Sequence, residues 1–187
     1  MDQQGEIQST VCCEQFPQVE CFVRHYTYYR SLRGAPYPIN ESNFWDEVST
    51  SFLGSATLAW YNVFASCQSD LHWSKLIKNM PKRVKDDFIN RIYRSTGLNE
   101  ESYKKVRDYI KTLRNKYFAH KDLNWQKHIR NSQDFENALK IAMEYECWVN
   151  DLLQKENSPS MNPLSDIIKD AREEVKRVIA LLLSEKS

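Results

Sequence analysis

NEESYKKVRDYIKTLRNKYFAH, residues 99–120, carries the clearest structural signal in the chain and argues its fold class. Val106, Ile110, Leu113 and Tyr117 recur at spacings of four, three and four. That interval lines up side chains on one face of an α-helix. Asn99 is a favourable N-cap, and Glu100 and Glu101 fall in the first turn, where the helix dipole favours negative charge. The pattern predicts a helix from about Asn99 to Phe118 with a single buried stripe.

Outward from this helix the same period repeats. Upstream, Pro81 suits a first helical turn, Val84, Phe88 and Ile92 share a face, and Gly97 suits a C-cap. Before that, Ser66–Asp70 breaks the pattern, and Asp70 is the expected cap of a short helix through Leu71, Trp73 and Leu76. A helix beginning after Asn40 or Ser42 carries Phe44, Val48, Phe52, Ala56, Ala59 and Val63 as its expected core stripe. The small residues Gly54, Ser55, Ala56 and Ala59 lie midway along it and allow close approach of another helix. A first helix over about residues 12–32 presents Phe16, Val19, Phe22, Val23, Tyr26 and Tyr29, ended by Gly34, Pro36 and Pro38.

Downstream, Ser132 is the expected cap of a long helix bearing Phe135, Leu139, Ala142, Tyr145, Val149 and Leu152. Asn157-Ser158-Pro159-Ser160 reads as a linker. A last amphipathic helix over residues 163–184 carries Leu164, Ile167, Ile168, Ala171, Val175, Val178 and Leu182. No run of alternating β-branched residues reads as a strand. The expectation is an all-α fold, a helical bundle of about five to seven helices. Residues 1–157 form the bundle, and 158–187 supply a linker and a C-terminal amphipathic helix packed on the bundle or on a dimer.

The bulk properties narrow the function. The 187 residues carry 26 basic and 25 acidic side chains, a formal net charge of +1, so nucleic-acid binding has to come from a local patch. With 27% charged residues and a mean hydropathy of −0.67, the chain reads as soluble, with no membrane-span-length apolar run. Its polar first ten residues are unlike a signal peptide. Five cysteines (Cys12, Cys13, Cys21, Cys67 and Cys147), odd in number and without CxxC spacing, suit reduced thiols in the cytoplasm. There is neither a GxxxxGK nor a GxGxxG loop, which argues against ATP-driven chemistry. Cys67, His72, His120 and His128 lack any recognised ligand spacing, so no metal and no cofactor is expected.

The chemistry concentrates at the end of the 99–118 helix. Lys104, Arg107, Lys111 and Arg114 recur at three, four and three residues, a basic stripe about 100° away from the apolar one. A solvated face and a phosphate-tracking surface both fit such a stripe. Arg114 is a permanent planar cation suited to phosphate oxygens, Asn115 offers a donor and an acceptor, and His120 is a ready acid or base near neutral pH. Arg114 and His120 stand about 120° apart on an ideal helix. Sharing one phosphate therefore needs a loosened helix near Ala119, a long reach by the arginine, or a site shared between two protomers. Tyr26, Tyr28, Tyr29, Arg24, Arg30 and Arg33 form an aromatic-basic cluster on the first helix, better explained by packing than by stacking on RNA.

Arg114-Asn115-Lys116-Tyr117-Phe118-Ala119-His120 resembles the R-x(4-6)-H motif of the HEPN superfamily (higher eukaryotes and prokaryotes nucleotide-binding). The context resembles its abortive-infection branch through Trp60-Tyr61-Asn62-Val63-Phe64, Asp70-Leu71-His72-Trp73-Ser74-Lys75-Leu76 and the aspartate at position 122. The resemblance covers residues 44–148. It implies a helical bundle that dimerises with its motif helices facing each other, and a metal-independent endoribonuclease, often a toxin held by an antitoxin protein and used in antiphage defence. It assigns Arg114, Asn115 and His120 to catalysis. The basic residues Lys104, Arg107, Lys111 and Lys121 become RNA contacts, with His72 and Asp122 as neighbours that support the pair, although His72, beside Trp73 on a short helix, is better explained by packing and capping. The alternative is a non-catalytic helical module that keeps this fold for RNA or protein binding.

Overall fold

A computed structural model describes residues 9–36, 42–119 and 132–184. Among these residues the chain forms seven α-helices and no strand: α1 Ser9–Arg33, α2 Asn43–Trp60, α3 Trp73–Leu76, α4 Lys82–Thr96, α5 Glu100–Leu113, α6 Ser132–Lys155 and α7 Leu164–Ser184. The all-α bundle expected from the hydrophobic periods is the observed architecture. No described helix is long and apolar enough to cross a membrane.

α1 is covered by several of the other helices. It packs along α2 and α7 and also meets α3 and α6. Being covered on several sides, it buries Gln15 and Thr27 as well as Phe16, Val19, Phe22, Val23 and Tyr26. It runs through Pro17, whose ring nitrogen donates no hydrogen bond to the preceding turn. The buried Gln15 amide is paired: its Nε2 donates to the His72 carbonyl at 2.8 Å and Tyr145 Oη donates to its Oε1. The Tyr26–Arg33 cluster is used for packing. Tyr26 stacks on Phe135 and donates to Glu136, Arg30 pairs with Glu136, and Arg33 pairs with Asp46.

α2 runs antiparallel to α1, and the face it buries differs in part from the expected one. Ser49, Leu53, Ala56, Thr57 and Trp60 point inward, whereas Phe44 is 63% exposed and Val48 and Phe52 are only half-buried. Ala56, Ala59 and Val63 are buried as expected, and the departure lies in the first half of the helix, where Ser49 and Leu53 are buried rather than Val48 and Phe52, while the Phe52 ring meets His25 and Tyr28 of α1. Trp45, Val48 and Phe52 instead line an apolar groove of about 330 Å³ with Tyr28, Leu32, Val175 and Val178.

The second half of the core is aromatic. Trp73, Phe88, Tyr145 and Trp148 meet edge-on, tilted or stacked, with ring centroids 4.6–6.1 Å apart, and join α3, α4 and α6. Gly97 ends α4 at φ 74°, a left-handed position that a side chain rarely adopts. Asn157 plays the same part after α6 at φ 54°. α7 starts where Glu146 Oε2 accepts the Leu164 N–H at 3.0 Å. It then buries Leu164, Ile167, Ala171 and Val175 against the bundle, while Val178, Leu181 and Leu183 farther along are exposed.

Candidate active site at two facing π-turns

α5 forms as its sequence demands. Asn99 Oδ1 accepts the Ser102 N–H at 2.9 Å while Ser102 Oγ accepts the Asn99 N–H at 2.8 Å, a reciprocal cap. Val106, Ile110 and Leu113 are buried, Leu113 to 2% exposure. The side chain of Tyr117, the fourth member of the expected stripe, lies outside the described residues.

At Arg114 the helix widens. Residues Arg114–Ala119 take π-helical geometry, with hydrogen bonds reaching one residue farther than in an α-helix. Of the three arrangements that could bring Arg114 and His120 to one phosphate, a loosened helix is the one this widening bears on, and it begins at the arginine itself rather than near Ala119. α2 ends in the same way: Tyr61–Ala65 is π-helical and closes with the Ser66 N–H donating to the Tyr61 carbonyl at 3.0 Å. The two widened turns belong to neighbouring elements, since α5 packs on Tyr61–Ala65 and α2 meets Arg114–Ala119. Single π-turns inside helices concentrate at functional sites because they turn side chains out of the regular register.

Side chains bridge the two turns. The Arg114 guanidinium lies 5.2 Å from the Tyr61 ring centroid, and its Nη1 donates to Asn115 Oδ1 at 2.9 Å. Ring and amide together fix the plane of the cation, and Arg114 and Asn115 are both half-buried. Seven residues earlier, Arg107 turns toward the protein. Its Nη2 donates to the Ala65 carbonyl at 3.2 Å and to Cys67 Sγ at 3.6 Å, its guanidinium lies 5.8 Å from the Tyr103 ring, and its buried Nε has no partner. Of the basic stripe, Lys104 and Lys111 are exposed to solvent. His120, Lys121 and Asp122, along with His128, lie outside the described residues.

His72 is near this cluster and also has a structural role. It is 4% exposed and caps α3, with Nδ1 accepting the Ser74 N–H, so the expected cap Asp70 is replaced by the residue two positions on. Helix position decides this: α3 begins at Trp73, and only the residue just before it can reach the first free N–H groups. Burial, then the positive charges of Arg107, Lys85 and Lys75, push the His72 imidazole down to about 4, so it is neutral at physiological pH. No three His, Cys, Asp or Glu side chains gather as a metal-holding set among the described residues.

Sequence reasoning placed Tyr61 only within a resemblance and gave Ala65 no role. An apolar period names the face of a helix but does not reveal that its last turn is widened. Chemically, the site presents a half-buried guanidinium of fixed orientation, with N–H groups left over to meet an oxyanion. No family model matches the chain, and no curated protein or solved structure matches it.

Proposed function

We propose that the chain is a metal-independent endoribonuclease of HEPN type, working as a homodimer in the cytoplasm as a toxin or antiphage effector held in check by an antitoxin. The observation that carries the reading is the Arg114 guanidinium, set at a π-turn, stacked on Tyr61 and tied to Asn115. The motif His120 follows six residues on. In this reaction the RNA 2′-hydroxyl attacks the adjacent phosphorus and the 5′-oxygen of the next nucleotide leaves. His120 moves a proton on or off a reacting oxygen. Arg114 holds the charge that builds on the phosphoryl oxygens, and Asn115 keeps the guanidinium in place. Lys104 and Lys111 are free to meet the backbone, joined by Lys121. A two-fold axis near the motif would let two protomers share one phosphate.

The test is cleavage of a structured RNA in excess EDTA by the wild type and by Arg114→Lys, Asn115→Ala and His120→Ala. His120→Ala is expected to cost about 10²–10⁴-fold and Asn115→Ala less. Arg114→Lys is expected to impair strongly, because a point charge does not reproduce a planar two-pronged contact. Activity abolished by EDTA, or untouched in His120→Ala, refutes the mechanism. No cleavage of any RNA leaves the helical binding module as the better reading.

A further inference from the structure

Cys67 follows the first π-turn with its side chain exposed, and two nitrogen atoms aim at its sulfur. Arg107 Nη2 donates to Sγ at 3.6 Å, and His72 Nε2 stands 3.9 Å away. The tautomer of His72 follows from its other nitrogen. Nδ1 accepts the Ser74 N–H at 3.4 Å and lies 2.8 Å from Ser74 Oγ, which leaves the ring proton on Nε2, facing the sulfur. The imidazole is nearly sealed from solvent, so the thiol rather than water meets this N–H. Arg107 is itself held in position by the Ala65 carbonyl and the Tyr103 ring.

A solvent-facing sulfur with a fixed cation and a fixed N–H donor is arranged for reactions that leave negative charge at that position. We propose that Cys67 is a reaction site for hydroperoxides, forming a sulfenic acid whose anion Arg107 and His72 hold. The sulfur attacks one peroxide oxygen, so an S–O bond forms as the O–O bond breaks. The thiol proton is given up and the other oxygen leaves as water or an alcohol. The sulfur is oxidised by two electrons and the peroxide is reduced by two. The added oxygen occupies the space where Arg107 meets the sulfur, so oxidation is felt at the Arg107–Ala65 contact that ties α5 to the first π-turn. The proposal rests on this cluster alone and is independent of the RNA reading.

The chain contains its own controls, because Cys13 and Cys147 are also exposed. At Cys147, burial first and then Glu144, Glu146 and Asp151 push the thiol up. The experiment treats the reduced full-length protein with one equivalent of hydrogen peroxide, traps sulfenic acid with dimedone, and reads each cysteine by peptide mass spectrometry over time. Cys67 is expected to be labelled about ten-fold faster than Cys13 or Cys147. Arg107→Gln, which keeps polar donors but removes the charge, is expected to take most of that lead away. Labelling of the buried Cys12 reports loss of fold, in which case Arg107→Lys is read instead and is expected to keep much of the lead. Cys67 labelled no faster than the other two exposed thiols overturns the proposal, as does a lead unchanged in a folded Arg107→Gln.

Discussion

Replacing His72 by asparagine should flatten the pH dependence of stability by an amount that the structure sets. Asparagine can still accept from Ser74 and cap α3, but it does not titrate. In the wild type, the folded imidazole resists protonation because it is buried and faces Arg107, Lys85 and Lys75. The unfolded chain takes up a proton at about pH 6.5, whereas the folded chain does so only near 4. Above 6.5 neither state is protonated, and the residue adds no pH dependence. Between 6.5 and 4 only the unfolded state gains the proton, so folding stability falls with pH. The loss comes to about 2 kcal/mol at pH 5 and about 3 kcal/mol at pH 4. The assay is urea unfolding of wild type and His72→Asn at pH 7.5, 6 and 5. Other titrating groups are common to both proteins and cancel in the difference of slopes. Parallel stability curves for the two would refute the reasoning, showing that His72 does not stay neutral in the folded state.

Leu113→Ala should destabilise by about 2–5 kcal/mol, since the side chain is 2% exposed in the core beside the site; a loss under 1 kcal/mol by denaturant unfolding would contradict that burial. Asn99→Ala breaks the reciprocal cap of α5 and should cost about 1 kcal/mol in the same measurement. Tyr61→Leu removes the ring beneath Arg114 while keeping an apolar side chain. A cation–π contact of about 0.5–1 kcal/mol implies a few-fold loss of RNA cleavage with little change in melting temperature, and unchanged cleavage would separate the ring from the arginine's task.

Much of the fold is legible from local chemistry. The Val106, Ile110 and Leu113 stripe, the Asn99 cap and the left-handed Gly97 each depend on neighbours a few residues away, so their consequences can be read along the chain. The same holds for Phe88 and Ile92 on α4 and for Leu164, Ile167 and Ala171 on α7. That Asn115 stands beside Arg114 with a donor and an acceptor to offer was legible too, whereas the bond from the guanidinium to its Oδ1 came from the structure.

Other features depend on partners distant in sequence. α2 has apolar residues on two adjoining faces, and periodicity alone weighs Phe44, Val48 and Phe52 about as heavily as Leu53 and Trp60. The choice between them is made by partners far along the chain: Trp60 Nε1 donates to the Ala138 carbonyl of α6, while Phe52 meets His25 and Tyr28 of α1 at the edge of the groove. A π-turn is rare and has no sequence signature of its own, so a hydrophobic period does not reveal whether a helix ends in one. Here Tyr61–Ala65 and Arg114–Ala119 widen where α2 and α5 meet. Arg107 belongs by spacing to a solvated stripe, yet it turns inward because the carbonyl of Ala65, 42 residues away in sequence, lies within its reach. Residue types and periods along the chain were enough for an all-α bundle and an arginine at the end of α5. Which ring that arginine lies against, and which thiol meets Arg107 and His72, came from helix packing, because those contacts join segments that only the folded core brings together.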